Sequence, residues 1–465
     1  MERIYINDLR AHIGSQVLVK GWIDVRRDQG KMVFLDIRDM SGKVQGVVLP
    51  MHAEALEVAQ KVRTEWVVAI TAQVNKRPEK NIKAGVQNGD IELEILAIEV
   101  LNEAETPAFD LSTPGHEVGE EVRLKHRHLD LRRPRLQKNI RNRHKVLQLI
   151  RNWLTEQNFI EIETPLLAAS TPEGSRDYIV PSRLEQGKFY ALPQSPQQFK
   201  QLLMSAGMER YFQVARCMRD EDTRGDRQPE FTQLDMEMSF VSQEEVMQLN
   251  EALLINLVQT LYPEKRIQQI PFPRLTYKEA MEKYGNDKPD MREDKNDPNL
   301  LAFCWVVDFP FFEKTDEGGW TFSHNPFSAA KPEHTELLSE KKDIATILTT
   351  QYDVALNGYE IGGGSIRNHN PELLKNVFAI MGYTDERIET NFGHMLRAFR
   401  SGTPPHGGIA WGFDRLMMLL ENEPNIREVM AFPKTGEGKD LMLNAPSSVS
   451  PEQLTELGLS VAKKK

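Results

Sequence analysis

The chain has 465 residues with 58 basic and 68 acidic side chains, a formal net charge of −10, and 40% hydrophobic residues. That length suggests about three domain-sized units, and the apolar share supports a sizeable core, which excludes a disordered or collagen-like chain. Two cysteines, Cys217 and Cys304, exclude a disulfide framework and a cysteine-rich zinc site. No apolar run is long enough to span a membrane and the first residues lack a secretory pattern, so a cytoplasmic location is expected.

The N-terminal part reads as short strands with one helix among them. Gln16 to Arg27 alternates, with Val17, Val19, Ile23 and Val25 on one face; Lys31 to Arg38 sets Val33, Leu35 and Ile37 together; Lys43 to Leu49 is a third run. Met51 to Arg63 has helical spacing, and Trp66 to Val74 and Ile91 to Leu101 are further apolar runs. Three strands, a helix and two strands is the order of an OB-type barrel, expected over residues 1–105. Period-two geometry sends Phe34 outward, where Arg26, Arg27, Phe34 and Gln45 form a candidate face for single-stranded nucleic acid.

Residues 106–135, with Pro107, Pro114, Gly115 and Gly119, read as a hinge or linker. From Glu121 to Arg151 there are eleven Lys or Arg against Glu121 and Asp130, a local +9. Such a basic island is either a solvated segment or a place for a phosphate backbone. Leu136 to Asn158 is a long amphipathic helix striped by Ile140, Val146, Leu147, Ile150 and Leu154, and it opens a third part, 136–465, in which strands alternate with helices.

Three constellations in that part carry chemistry. Arg219, Glu221, Arg224, Arg227 and Gln228 surround a turn between an apolar run (Tyr211 to Val214) and an alternating one (Phe231 to Phe240), and arginine suits bidentate contact with phosphate. Asn357-Gly358 between alternating runs predicts a hairpin that makes Asp353 and Glu360 diagonal neighbours, a pair suited to a divalent cation such as Mg²⁺ beside phosphates. Gly408, Ala410 and Gly412 alternate along a presumed strand ahead of a helix opened by Asp414-Arg415, leaving a bare floor beside a guanidinium.

In this order the pieces resemble the signature motifs of class II aminoacyl-tRNA synthetases. Motif 1 is the long helix with Phe159-Ile-Glu-Ile-Glu-Thr-Pro165, motif 2 runs from Arg219 to Phe231, and motif 3 from Gly408 to Arg415, with Ala410 in place of the family's usual glycine. The resemblance implies an α+β chain: an N-terminal OB-fold β-barrel, then a class II catalytic domain built on an antiparallel sheet flanked by helices, dimerising through motif 1. Gln194-Ser-Pro-Gln197-Gln-Phe-Lys200, Thr171-Pro-Glu173-Gly-Ser-Arg-Asp177 and Gly362-Gly-Gly-Ser-Ile-Arg367 narrow it to bacterial-type aspartyl-tRNA synthetases. The domain that family inserts between motifs 2 and 3 is reduced here to a short loop near 293–299. Val25 stands where one of three arginines is usual, and Asn325 follows His324 where a second histidine is common.

The resemblance further implies L-aspartate, ATP and tRNA(Asp) as substrates, with tRNA(Asn) left open as a second acceptor. Arg219 and Arg415 are the implied catalytic residues. Around ATP it places Arg219, Asp220, Glu221, Gln228, Phe231, Glu360, Gly412, Phe413, Asp414 and Arg415, with Mg²⁺ on Asp353 and Glu360. Gln197, Asp235 and Glu173 are expected at the aspartate ammonium, beside Arg219, and Lys200, Arg367 and His324 at its side-chain carboxylate. Arg26, Arg27, Phe34, Gln45 and Glu92 are expected at the anticodon. An asparaginyl-tRNA synthetase and a stand-alone amino-acid ligase on the same core remain as alternatives.

Overall fold

A computed structural model describes residues 1–170 and 174–462, and the chain divides into two compact units, Met1–Gly115 and His116–Lys465. In the first, strands β1 (Gln16–Gln29), β2 (Met32–Arg38), β3 (Lys43–Val48), β4 (Val67–Lys76) and β5 (Ile91–Asn102) close a barrel in the order β1-β2-β3-β5-β4, with helix α1 (Ala53–Ala59) between β3 and β4. Val17, Val19, Val33, Leu35, Ile37, Ile70, Leu93 and Ile95 fill its interior. The alternation predicted for β1 fails beyond Ile23. A bulge at Asp24 pairs Val25 with Asp36 and Arg26 with Leu35, so Val25 turns outward and Arg26 changes sides.

The second unit is built on an eight-stranded sheet. In chain order its strands are β6 (Ile160–Glu161), β7 (Arg210–Met218), β8 (Glu230–Ser239), β9 (Arg274–Thr276), β10 (Phe303–Val307), β11 (Gln351–Leu356), β12 (Tyr359–Ile366) and β13 (His406–Gly412), and they lie in the order β9-β10-β11-β12-β13-β8-β7-β6. The middle is antiparallel as expected, but the two edge pairs, β9 with β10 and β6 with β7, are parallel. The strand expected to end at Pro165 is present as the two residues of β6, whereas β9 carries no periodicity in its three residues and is not legible in the sequence.

Period two makes this sheet two-sided. Leu234, Met236 and Met238 of β8, Tyr352 and Val354 of β11, and Ile409 and Trp411 of β13 join one apolar core with helices α2 (Pro134–Glu156), α4 (Gln243–Leu261) and α7 (Phe413–Leu420), while α5 (Pro371–Ile380) and α6 (Asp385–Phe399) build a separate cluster around Phe378 and Phe392. Val146, Ile150 and Leu154, spaced four apart on α2, supply its contribution, and Pro134 starts that helix where its missing N–H costs nothing. The intervening residues Gln233, Asp235 and Glu237 of β8 point the other way, toward α3 (Gln197–Ser205) and an open cavity. Between β9 and β10 the short loop near 293–299 is pinned by Glu293 N–H donating to Gln268 Oε1 at 2.9 Å and by turns at Asp294 and Asp297.

The basic stretch before and along α2 is largely neutralised inside the fold, and residues from His116 onward group with the second unit. Asp130, fully buried, accepts from Arg123, Arg127 and Arg133 at 2.8–3.2 Å. Glu428 accepts from Arg123 at 2.7 Å and Arg135 at 2.8 Å. Burial alone would push the Glu428 carboxyl up, but these guanidiniums outweigh it and hold it at about 2. A run of guanidiniums in sequence is thus a set of buried pairs to carboxylates, one of them some 300 residues away.

Breaking one partner leaves an uncompensated buried charge, so Glu428→Gln should lose about 3–5 kcal/mol at pH 7 in urea unfolding. The folded Glu428 titrates below its unfolded value, so its contribution is complete above roughly pH 4.3 and fades as pH falls toward about 2. The wild-type advantage should shrink over that window; equal stability at pH 7 would contradict the assignment.

Candidate active site

On the polar face of the sheet lies a cavity of about 580 Å³ that gathers most of the residues singled out in the sequence: Gln197, Lys200, Arg219, Glu221, Gln228, Phe231, Asp235, His324, Asp353, Glu360, Arg367, Gly412, Asp414 and Arg415. Three of these, Lys200, Asp235 and Arg367, belong to a buried charge array. Lys200 Nζ, from α3, lies 2.6 Å from Asp235 Oδ1 and 3.2 Å from Glu237 Oε2. Arg367, just past β12, grips Glu237 through Nε at 2.9 Å and Nη2 at 3.1 Å, and also donates to Ser365 Oγ at 2.9 Å. All four charged side chains are at most 3% exposed.

Burial would raise the Glu237 carboxyl, but Arg367 and Lys200 hold it at about 2. Asp235 goes the other way: burial pushes it up against the opposing pull of Lys200, and its Oδ2 has no hydrogen-bond partner among the described residues. Glu237 was not anticipated, although it stands two residues from Asp235 on a predicted alternating strand. Gly408 of β13 faces it; a Cβ there would lie 2.2 Å from Glu237 Oε2 and 2.0 Å from the Met236 carbonyl, so only glycine leaves room for the array.

A second cluster forms on the β11–β12 hairpin. Ala355 pairs with Glu360 as expected, while a bulge sets Asp353 opposite Gly363. A Cβ on Gly363 would lie 2.6 Å from Asp353 Oδ1 and 3.5 Å from Glu360 Oε1, so both carboxylates converge on one spot that glycine keeps clear. Burial and the Glu360 charge drive the Asp353 carboxyl well above its ordinary range. His324 Nε2 stands 3.9 Å from Asp353 Oδ2, which places it at this carboxylate pair. Arg415 donates to the Glu360 carbonyl and pairs with Asp226 at 3.1 Å, leaving Nε buried without a partner among the described residues.

Arg219 also lines the cavity. Its Nε donates to the Gln194 carbonyl at 3.4 Å and its guanidinium lies 5.1 Å from the Phe231 ring centre. Glu221 accepts from Ser175 Oγ and sits 3.4 Å from Arg227. Gln228 Oε1 accepts from Lys434 N–H at 2.8 Å, and its Nε2 has no partner among the described residues.

Two expectations fall outside the cavity lining among the described residues. Phe413 is fully buried in the apolar core beneath the Arg143 guanidinium, because the first turn of α7 directs it away from the cavity. Asp220 is tied at the rim to Arg176, 3.7 Å away. Glu173 lies outside the described residues. Asp414 lines the cavity, but its carboxylate is committed to Arg143 Nη1 at 2.5 Å and to Thr232 N–H at 2.7 Å, a brace between α2, β8 and α7.

On the barrel, β1–β2 and β2–β3 pairing brings Arg27, Phe34 and Val47 side by side, with Asp36 opposite Gln45. Arg27 forms two 2.8 Å bonds to Asp36, Gln45 accepts from Lys83 at 3.0 Å, and Glu92 lies 3.8 Å from Arg77. Arg26 does not join them. The bulge at Asp24 turns it to the other side, where it binds the Gln60 and Val62 carbonyls beyond α1 at 2.6 and 3.0 Å.

Comparison with known proteins gives this geometry its context. Residues 119–436 match the family described as tRNA synthetases class II (D, K and N), and residues 17–101 the OB-fold nucleic acid binding domain. The chain is 41% identical to the "Aspartate--tRNA(Asp/Asn) ligase" of Rubrobacter xylanophilus, over 98% of this chain and 96% of that protein. It is 37% identical to the "Aspartate--tRNA ligase" of Macrococcus caseolyticus over 97% of each. The alignment to the Rubrobacter protein runs over 579 positions for a chain of 465 residues, so more than a hundred positions of that relative have no counterpart here. Among solved structures, asparaginyl-tRNA synthetase from Pyrococcus horikoshii with asparaginyl-adenylate shares the fold, with a TM-score of 0.76, 23% identity, and 94% of this chain and 98% of that one covered.

The folded Asp353 carboxyl titrates above its unfolded value, so its contribution to stability is complete below roughly pH 4 and is lost as pH rises through the folded value. Asp353→Asn should therefore melt about 2 °C or more above wild type at pH 7.5 in EDTA. The gap should close toward pH 4; identical melting at pH 7.5 would contradict the burial of this charge.

Proposed function

The chain belongs to the class II aminoacyl-tRNA synthetases of the aspartyl, asparaginyl and lysyl group, and we propose that its cavity carries out both steps of an aspartate–tRNA ligase. The observation that carries this reading is one cavity lined by Lys200, Asp235 and Arg367, which the buried Glu237 ties together, along with Arg219, Arg415 and the Asp353–Glu360 pair.

In the first step an α-carboxylate oxygen of aspartate attacks the α-phosphorus of ATP. The bond to the bridging oxygen breaks and pyrophosphate leaves. In the second, a hydroxyl of the terminal ribose of tRNA attacks the carbonyl carbon of the adenylate and AMP leaves. No enzyme nucleophile takes part, so the residues work by positioning and charge stabilisation. Arg219 meets the α-phosphate and the substrate carboxylate. One face of Phe231 takes Arg219 and the other the adenine, which Arg415 covers while reaching the γ-phosphate. Glu221 and Gln228 complete the nucleotide contacts.

At the array, the unpartnered Asp235 Oδ2 supplies an acceptor for the substrate ammonium, with Gln197 beside it. Lys200 and Arg367 meet the side-chain carboxylate. Both cations are already balanced by Asp235 and Glu237, so they bind through oriented hydrogen bonds rather than surplus charge. A neutral amide would set its NH₂ against these donors, which disfavours asparagine.

Asp353 and Glu360 fit a divalent cation, since like carboxylates converging on one buried spot are stabilised by it. Among the described residues no group of three or more His, Cys, Asp or Glu is arranged to hold a metal, so Mg²⁺ would share these two carboxylates with the nucleotide phosphates. Bound there, it would neutralise phosphate charge.

The barrel face of Arg27, Phe34, Gln45 and Glu92 reads the anticodon of tRNA(Asp), with Phe34 stacking on a base. Acceptance of tRNA(Asn) as well is a narrower part of the proposal, supported by the name of the Rubrobacter relative but not by that of the Macrococcus one. Ile160, Leu166 and Leu167, about half exposed in the motif 1 region, support a homodimer through that surface. The positions missing relative to the Rubrobacter protein are assigned to an inserted domain replaced by the loop near 293–299. No helix among the described residues is long and apolar enough to cross a membrane, and the site of action proposed is the cytoplasm, where tRNA is charged.

Two substitutions test the division of labour. Arg219→Ala should cut aspartate-dependent ATP–pyrophosphate exchange by roughly 10²–10³-fold or more. Phe34→Ala should leave that exchange unchanged and lower tRNA charging by about 5–100-fold, the worth of one stacked base. Exchange near wild type in the first, or equal losses in both assays for the second, would overturn the reading.

A further inference from the structure

Gln351, at the start of β11, stands two residues before Asp353 and so on the same, cavity-facing side of the strand. It is buried, and both ends of its amide are engaged. Nε2 donates to Asp353 Oδ1 at 2.9 Å, while Oε1 accepts from Asn325 Nδ2 at 3.2 Å and faces Ser328 Oγ at 3.4 Å. Asn325 is fixed in turn by the backbone. Pro326 has no N–H to offer, and that of the next residue, Phe327, donates to Asn325 Oδ1 at 3.0 Å in an Asx turn. The turn is stitched to the sheet, because Ala329 N–H donates to the Ile366 carbonyl of β12 at 2.8 Å and the Ala329 carbonyl accepts from Thr350 N–H at 2.9 Å.

These bonds run in one direction. A backbone N–H can only donate, so Asn325 presents its oxygen to Phe327 and its NH₂ to Gln351. Gln351 then presents its oxygen to Asn325, which leaves its NH₂ for Asp353. The opposite setting of either amide would bring two acceptors or two donors face to face and leave polar groups unsatisfied in a largely buried cluster. Three bonds in series therefore deliver a donor to Asp353 Oδ1. That oxygen is the one nearest Gly363, on the side where Glu360 converges, and no hydrogen bond among the described residues reaches Asp353 Oδ2.

We propose that Gln351 is a positioning residue for the divalent cation that accompanies the nucleotide: with its amide direction set by Phe327 and Asn325, it holds the Asp353 carboxylate in the pose in which Asp353 and Glu360 take up the ion. This rests on the reading of Asp353 and Glu360 as the cation pair. A side chain that hydrogen-bonds a metal-ligating carboxylate sets its orientation, and losing that bond weakens metal affinity by about 10–100-fold. The relay does not extend to the aspartate end. Arg367 keeps its own anchors, Glu237 at 2.9 and 3.1 Å and Ser365 Oγ at 2.9 Å, the last supported by Ser328 Oγ at 2.9 Å, and none of these bonds involves Gln351.

The test is metal affinity in the full-length protein, with Mn²⁺ as a paramagnetic stand-in for Mg²⁺ and a non-hydrolysable ATP analogue present, read by electron paramagnetic resonance. Gln351→Met keeps the length of the side chain and removes the donor. It should weaken Mn²⁺ binding by about 10–100-fold, while aspartate, titrated alone by calorimetry, binds within about twofold of wild type. Asn325→Asp keeps the acceptor for Phe327 N–H and replaces the NH₂ by an oxygen, which turns the Gln351 amide around. It should also weaken Mn²⁺ binding, although the added negative charge by itself would tighten it. Wild-type Mn²⁺ affinity in Gln351→Met, unchanged or tighter Mn²⁺ binding in Asn325→Asp, or an equal loss for Mn²⁺ and aspartate, as a merely structural role would give, would overturn the proposal. Asp353→Asn binding Mn²⁺ as well as wild type would instead overturn the reading of the carboxylate pair.

Discussion

Two cations and two carboxylates share one buried face of a sheet, and most of the catalytic unit can be read as the means of keeping them there. Any one of Lys200, Asp235, Glu237 and Arg367 would be untenable alone at this depth, because stripping a charge of water costs several kcal/mol that only close partners offset. Lys200 bridges Asp235 and Glu237, and Arg367 closes on Glu237 from the neighbouring side. The strand alternation that buries Leu234, Met236 and Met238 under α2, α4 and α7 is what delivers Asp235 and Glu237 together to the other face. Gly408 completes the arrangement by having no side chain where Glu237 must sit.

The nucleotide end follows the same logic with the opposite outcome. Asp353 and Glu360 are brought together by the hairpin and by Gly363, and among the described residues no Lys or Arg side chain pairs with either, so their repulsion is left in the fold. Elsewhere buried charge is compensated within the protein: Asp130 and Glu428 neutralise the guanidiniums ahead of and along α2, and Asp414 is consumed by Arg143 and Thr232. The contrast separates charges that hold the chain together from a carboxylate pair suited to an external cation.

Much of this was legible in the sequence where periodicity or turn chemistry is strong. The barrel order followed from alternating runs, the Asn357-Gly358 hairpin from its turn, and the apolar stripe of α2 from its spacing. Single-residue irregularities were not legible. The bulge at Asp24 inverts every side chain after it, which put Val25 and Arg26 on the wrong faces, and no local signal in the run announces it. Phe413 was grouped with its motif neighbours, yet one residue's rotation at a helix start separates the core from the cavity. The basic island from Glu121 to Arg151 could not be resolved from composition, because Glu428, the partner that decides its meaning, lies far along the chain. Glu237 and Gln194 escape the sequence for a different reason: each sits in a recognised motif but acts on other groups of the protein, Glu237 on Arg367 and Gln194 on the Ser175 backbone, and such a role emerges only once the contacts are known.

On the proposed function, the charge array is built to receive a second carboxylate. That is tested most directly by comparing ATP–pyrophosphate exchange supported by L-aspartate and by L-asparagine in the wild-type protein. Donors fixed by Asp235 and Glu237 should favour aspartate in kcat/KM by a factor on the order of 10³ or more. Comparable exchange with asparagine would contradict it.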